Sequence, residues 1–265
     1  MDYNKLFKDF IGRDEMLKKV TRYSLYKTMY YRTDLVIHQK RVYWLTKELM
    51  PYFKKAFGNN LDEDRLLIMA LIHDDPEIIF GDYQAGTKAK MSDAELNELD
   101  NLELEAINEI SHGFPEKIGC YNYRDILVEN LEVKSIEAQI RKFTDKLDGY
   151  GEALHEIFAG NLSWVVNPIN EYGVIETNPQ FYVRTFKEYP IRYPLMKNFY
   201  KSGFPLYGKI KMFDYQTVAK NGSLPTLDSL KKDLGYYPYD FWKETMLKYS
   251  RSDDLEYLYI QREFN

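Results

Sequence analysis

Apolar residues recur at three- and four-residue steps through most of the first 160 positions, the period of a helix with one buried face. The spacing predicts a helix from about Asp14 to Tyr30. A second runs from about Asp34 to Phe57, with Val42, Leu45, Leu49 and Tyr52 on one stripe. Asp62-Glu63-Asp64 puts carboxylates where a helix N-terminus favours them and opens a third. That helix continues as Leu66-Leu67-Ile68-Met69-Ala70-Leu71-Ile72, apolar on every side, the pattern of a helix buried all round. Ser92, with Glu95 three residues later, forms a capping-box pattern and predicts a polar helix from Ser92 to Ile110. Ser135 to Phe158 sets Ile136, Ile140, Phe143, Leu147, Tyr150, Leu154 and Phe158 on the stripe of a fifth. No convincing period-2 alternation interrupts these segments, so the first part reads as all-α.

Proline changes the picture after residue 160. Three of the ten prolines precede it; Pro168, Pro179, Pro190, Pro194, Pro205, Pro225 and Pro238 follow. Long helices are therefore expected over residues 1–160, and shorter elements joined by turns over 161–265. No flexible Gly/Ser linker separates the two parts, which favours a mostly helical, aromatic-rich extension packed on the first part over a free second domain. The 24 tyrosines and 15 phenylalanines suit lined pockets or an interface. A formal net charge of -5, with no basic run, opposes a main task of gripping a phosphate backbone, so no nucleic-acid partner is expected. Cys120 stands alone, excluding an intrachain disulfide and a cysteine zinc cluster. No run approaches the roughly 18 apolar residues that span a bilayer, and the N-terminus lacks a signal-peptide core. No membrane partner and a cytoplasmic location are the corresponding expectations.

Candidate chemistry concentrates where the apolar third helix runs into Ile72-His73-Asp74-Asp75-Pro76-Glu77. Charge at the end of a buried helix needs a partner, and a divalent cation accepts neutral imidazole and carboxylate together. Pro76 disfavours helical dihedrals at Asp75 and should end or kink the helix there. Simple helix capping by His73 and Asp74 is the competing reading. His38 lies on the apolar stripe of its own helix, in line with Val42, Leu45 and Leu49, and so faces inward. Two inward histidines on separate helices favour the cation.

The order His38, then His73-Asp74, then Asp145 resembles the H…HD…D signature of the HD superfamily, all-helical metal-dependent phosphohydrolases. The likeness is closest to the bacterial 5′-deoxynucleotidases. It extends to the Arg-aromatic pair Arg22-Tyr23 upstream of the first histidine and to Glu77, three residues after Asp74. Gly81-Asp82 follows, with Lys88 six residues beyond Asp82, and an apolar helical run surrounds Asp145. The match spans roughly residues 15 to 160. Three positions depart from the pattern and touch the substrate pocket: Ile37 for a glutamate, Phe80 for a small polar residue, and Tyr83-Gln84-Ala85-Gly86 for a proline-threonine-proline stretch.

The resemblance implies an HD-domain helical bundle and one divalent cation (Mn, Co, Fe or Zn) held by His38, His73, Asp74 and Asp145. Glu77 would orient or deprotonate water, or protonate the leaving oxygen. Asp82 would meet a sugar hydroxyl, Arg22 and Lys88 a phosphate, and Tyr23 a base. The implied activity is removal of the 5′-phosphate of a (deoxy)nucleoside monophosphate. A triphosphohydrolase, or a metal-retaining nucleotide-binding regulator with little turnover, are the alternatives. A homodimer using the aromatic tail is open. Periodicity alone sets Asp145 nearly opposite its helix's apolar stripe, where a solvated aspartate is ordinary; Ala138 and Gly149 on that face would let another element approach. His112, near a helix end, and His155 are the remaining histidines, too few in the right interval to favour a second metal.

Overall fold

The computed structural model describes residues 2–24, 30–83, 85–88, 91–159, 161–164, 166–169, 175–202 and 237–251. Its helices are α1 (Tyr3–Leu6), α2 (Arg13–Leu17), α3 (Leu35–Phe57), α4 (Glu63–Ile72), α5 (Glu77–Phe80), α6 (Ala85–Lys88), α7 (Asp93–Gly113), α8 (Tyr123–Glu132), α9 (Ile136–Phe158), α10 (Asn178–Arg192), α11 (Lys197–Lys201) and α12 (Tyr237–Tyr249). Two short antiparallel hairpins join them, β1 (Lys117–Ile118) with β2 (Tyr121–Asn122) and β3 (Val166–Ile169) with β4 (Ile175–Thr177). The fold is an all-α multi-helix bundle. Among the described residues, no helix is long and apolar enough to cross a membrane.

Local chemistry sets the helix starts. Asp34, Asp62 and Ser135 each accept a backbone N–H of the first turn, opening α3, α4 and α9. Ser92 and Glu95 form both bonds of the capping box that opens α7. The four strongest periodic segments thus become helices within a few residues of their expected ends.

The expected helix from Asp14 to Tyr30 is a correction. It ends at Leu17, and residues 18–24 and 30–34 are irregular, while 25–29 lie outside the described residues. Two causes are visible. Tyr23 takes a left-handed backbone at φ 54°, which an α-helix excludes. The backbone N–H groups of Tyr30 and Tyr31 donate to Glu156 of α9 instead of to a helix ladder. Two further departures are α8, which the periodicity had not singled out, and the β3–β4 hairpin in a stretch expected to be mostly helical.

Helices α3, α4 and α9 pack against one another, and α10, α11 and α12 close over α3 and α9. One apolar cluster runs from Leu45, Leu49 and Phe53 through Phe143, Leu147 and Leu154 to Phe186, Phe199, Trp242 and Met246. Helix α9 is therefore central. Its apolar stripe faces this cluster, and its opposite stripe of Asp148, Glu152, His155 and Glu156 is buried as well. Close approach depends on two glycines. A Cβ at Gly149 would stand 2.6 Å from the Tyr182 hydroxyl, and one at Gly151 would stand 2.1 Å from Cγ of Trp242.

Candidate metal centre

The apolar run of α4 ends at Ile72, and the chain turns through His73, Asp74, Asp75 and Pro76 before α5 begins. Asp75 N–H bonds the Ile72 carbonyl and Glu77 N–H the Asp74 carbonyl. This tight turn presents His73 and Asp74 beyond the helix end, towards the inward face of α3. There His38 Nε2 lies 3.3 Å from His73 Nε2, 3.3 Å from Asp74 Oδ2 and 3.4 Å from Asp145 Oδ1. His73 Nε2 is 3.3 Å from Asp74 Oδ1. His38, His73 and Asp74 form the tightest group, and Asp145 reaches it from α9.

The outer nitrogen of each ring is already committed. His38 Nδ1 donates to Asp148 Oδ2 at 2.7 Å, and His73 Nδ1 donates to the Ala70 carbonyl at 3.0 Å. Both acceptors lack a proton to give, so Nδ1 carries the proton in each ring, and each ring in its neutral form turns an Nε2 lone pair inward. Two lone pairs facing each other repel unless a cation lies between them. Ligands at about 2.1 Å from a shared cation stand about 3.0–3.4 Å apart, which matches these spacings. Two neutral imidazoles and two carboxylates carry a formal charge matching one dication. The donor set therefore fits a divalent metal.

Electrostatics point the same way. Burial and the Arg22 guanidinium push His38 down, yet Asp145, Asp148 and Asp74 outweigh them and hold it up to about 9. Burial takes His73 down to about 4. Asp145 resists the upward push of burial and is held well below the usual carboxylate range by Lys146 and His38. The pocket favours positive charge strongly enough to keep a proton on one imidazole.

Around this group stand the other residues singled out by the sequence. Glu77 opens α5; its buried Oε2 has no hydrogen-bond partner among the described residues. Burial, with Asp74 and Asp82 adding repulsion, pushes its carboxyl well above the ordinary value. Asp82, raised chiefly by burial, accepts the Tyr23 backbone N–H at 3.3 Å. Gly81 before it sits at φ 82°, and the rings of Phe80 and Tyr83 stack on each other at 5.8 Å. Arg22 is buried, donating to Glu152 Oε2 at 3.2 Å and to the Thr33 hydroxyl at 3.1 Å. Its guanidinium lies 4.7 Å from the centre of the Tyr23 ring, which meets Trp164 edge-on at 4.9 Å. Tyr23 is thus half-buried packing, with Arg22 over one face. Lys88, half-buried at the end of α6, is close enough to offset part of the upward push that burial gives the carboxyls of Glu77 and Glu103. Gln84 lies outside the described residues. His112 is exposed on α7, bonded to the Asn108 carbonyl, and His155 is buried against the Tyr239 hydroxyl.

A family model described as 5′-deoxynucleotidase YfbR-like matches residues 9–191, more than half of the chain. The chain belongs to the YfbR-like family. A 5′-deoxynucleotidase of Pectobacterium atrosepticum is 27% identical over 159 residues, covering 59% of this chain and 77% of the relative. The 5′-deoxynucleotidase YfbR of Shigella flexneri is 27% identical over 157 residues, covering 57% and 74%. The PH0347 protein of Pyrococcus horikoshii, a solved structure 22% identical to this chain, superposes with a TM-score of 0.50. The superposition covers 73% of this chain and 96% of that one, a likeness of fold.

Several residues packed around these candidates were not singled out from the sequence. Asp148 accepts from His38 and is held below the usual range, against burial, by His38, Arg41 and Arg22. Its signal was present: it lies three residues after Asp145, one helical turn along the same face. Glu152, one turn further, accepts from Arg22 and from Thr33 at 2.7 Å. Arg32 donates to the carbonyls of Arg22 and Tyr23 and so clamps the left-handed turn. Asp75, next to the candidate ligands, turns away: Arg13 engages it through Nε at 2.8 Å and an amino nitrogen at 2.5 Å. Tyr123 and Gln39 donate to the same carboxylate.

Proposed function

We propose that this chain is a metal-dependent phosphohydrolase that removes the 5′-phosphate of a nucleoside monophosphate. The observation that carries the reading is the convergence of the two inward Nε2 atoms with Asp74 and Asp145, beside the Oε2 of Glu77, buried and without a partner among the described residues. The family and the printed names of the relatives, 5′-deoxynucleotidases, supply the substrate class. A cytoplasmic setting accords with such a substrate. Residues 1–160 are read as the catalytic helical unit and 161–265 as an extension, supported by the apolar cluster the two share.

His38, His73, Asp74 and Asp145 would hold one divalent cation of the Mn, Co, Fe or Zn kind. Such an ion supplies Lewis acidity that activates water and neutralises phosphate charge. Asp148 and the Ala70 carbonyl hold the two rings in the tautomer and orientation that turn Nε2 towards the cation, which would take the place of the proton His38 carries when metal-free. Glu77, favoured in its protonated form by burial, can give a proton to the departing sugar oxygen and recover it from water. Asp82, anchored by Tyr23 N–H, would accept from a sugar hydroxyl. Lys88 contributes a point charge for the phosphate, and Arg22 brings its field from within the wall. Tyr23 and the Phe80–Tyr83 pair give the base an aromatic surround.

The test is phosphate release from a panel of deoxy- and ribonucleoside mono- and triphosphates, using metal-stripped protein with Mn, Co, Mg or Zn restored. Orthophosphate release from monophosphates, dependent on metal and lost in Asp74→Ala, is the expected result. Tripolyphosphate release from triphosphates would replace the substrate class. A protein that binds a cation yet releases nothing would overturn the catalytic reading.

A further inference from the structure

Trp242 belongs to α12, well past residue 191, where the family match ends. Its indole is fully buried and reaches into the bundle over Gly151, the one residue type that leaves room there, because any Cβ would overlap the ring. Nε1–H donates to Asp148 Oδ1 at 2.8 Å. The other oxygen of the same carboxylate, Oδ2, accepts from His38 Nδ1 at 2.7 Å. Indole nitrogen is a donor only, so this contact has a single polarity. Asp148 and Trp242 are both wholly removed from solvent, leaving a displaced carboxylate no water with which to make good the bond.

We propose that Trp242 is a positioning residue for the metal centre. It fixes the Asp148 carboxylate so that His38 keeps its proton on Nδ1 and presents Nε2 to the cation. Residues outside the family match would thereby complete the site, and the extension would set the affinity for metal as well as add core. The inference rests on the reading of His38 as a metal ligand. A second polar tie on the same helix, Tyr239 hydroxyl to His155 Nδ1 at 2.7 Å, lies beside the Trp242 ring but is a separate hydrogen bond from the Trp242–Asp148–His38 chain. Tyr239→Phe, which keeps the ring, serves as the internal control. Met246, fully buried on α12, offers a second control that loosens the helix without altering this chain of hydrogen bonds.

The experiment is a calorimetric titration of the metal-stripped 265-residue chain with Zn, comparing wild type with Trp242→Phe, Tyr239→Phe and Met246→Ala. Loss of an outer-shell partner weakens metal affinity by about 10- to 100-fold, and a loss of about tenfold is expected for Trp242→Phe. Tyr239→Phe and Met246→Ala should bind Zn as wild type does while still lowering Tm. In an Asp148→Asn background, Trp242→Phe should cause no further loss, because the two act through one bond. Equal affinity in Trp242→Phe, or an equal loss in Met246→Ala, overturns the proposal. Should Trp242→Phe fail to fold, the indole N–H resonances of the unmodified chain decide. The Trp242 signal, assigned through Trp44→Phe and Trp164→Phe, should shift on Zn binding while that of Trp44 stays; an unmoved Trp242 signal overturns the proposal. If wild type binds no Zn or any other divalent cation, the metal reading itself falls and this one with it.

Discussion

At Glu77 the Oε2 atom is held out of water with no hydrogen-bond partner among the described residues, an arrangement that ordinarily destabilises by about 1–3 kcal/mol. Two residues earlier, Asp75 is wholly buried and fully satisfied by Arg13, Gln39 and Tyr123. Identical chemistry thus serves two ends: Asp75 is spent on the fold, whereas Glu77 retains bonding capacity beside the candidate ligands. Glu77→Gln keeps the shape and removes the proton that the proposed mechanism transfers. Turnover should fall by about 10²–10⁴-fold, the range for removing a general acid or base. Zn affinity and Tm should be unchanged or slightly improved. Steady-state kinetics with a parallel thermal melt checks this, and near-normal kcat in the variant would remove Glu77 from the mechanism.

Between elements, the buried Arg13–Asp75 pair ties α2 to the turn that carries His73 and Asp74. Removing one partner of a buried pair leaves an uncompensated charge. Arg13→Met should therefore destabilise by about 3–5 kcal/mol in a urea melt, against about 1 kcal/mol or less for a surface bridge. A small loss would mean that Asp75 relaxes towards water and does not hold the turn. The same elements show what a sequence discloses. The starts of α3, α4, α7 and α9 were legible because each cap lies within three residues of the bond it makes. The turn at Pro76 was legible because proline acts on its immediate neighbour. His38, His73 and Asp74 could be grouped because inward facing follows from helical period. The irregular path after Leu17 was not legible: its backbone donors go to Glu156, more than a hundred positions away. The burial of α9 on both faces was legible only in part: Ala138 and Gly149 allowed another element to approach the Asp145 face, but a polar stripe normally marks solvent. Here Asp148, Glu152 and Glu156 instead receive His38, Arg22, Thr33 and the Tyr30 backbone.

For the molecule as a whole, the candidate ligands come from three separate places: the first turn of α3, the end of α4 and the middle of α9. Only the assembled bundle brings them together, so a cation binds the folded state and stabilises it by mass action, about 2.7 kcal/mol at a hundred times its Kd. Helix α12 sits in the same apolar cluster as α3 and α9, so the extension should melt with the bundle. Adding Zn or Mn to stripped protein should raise Tm progressively with concentration. Circular dichroism and tryptophan fluorescence, which draws on Trp44, Trp164 and Trp242, should trace one coincident transition. An early fluorescence step that ignores the metal would separate the extension from the site. A Tm indifferent to every divalent cation would instead mean that the four ligands are not held together in the folded chain. Because the first outcome concerns α12 and the second the ligands, one set of melts tests the shared core and the metal centre independently.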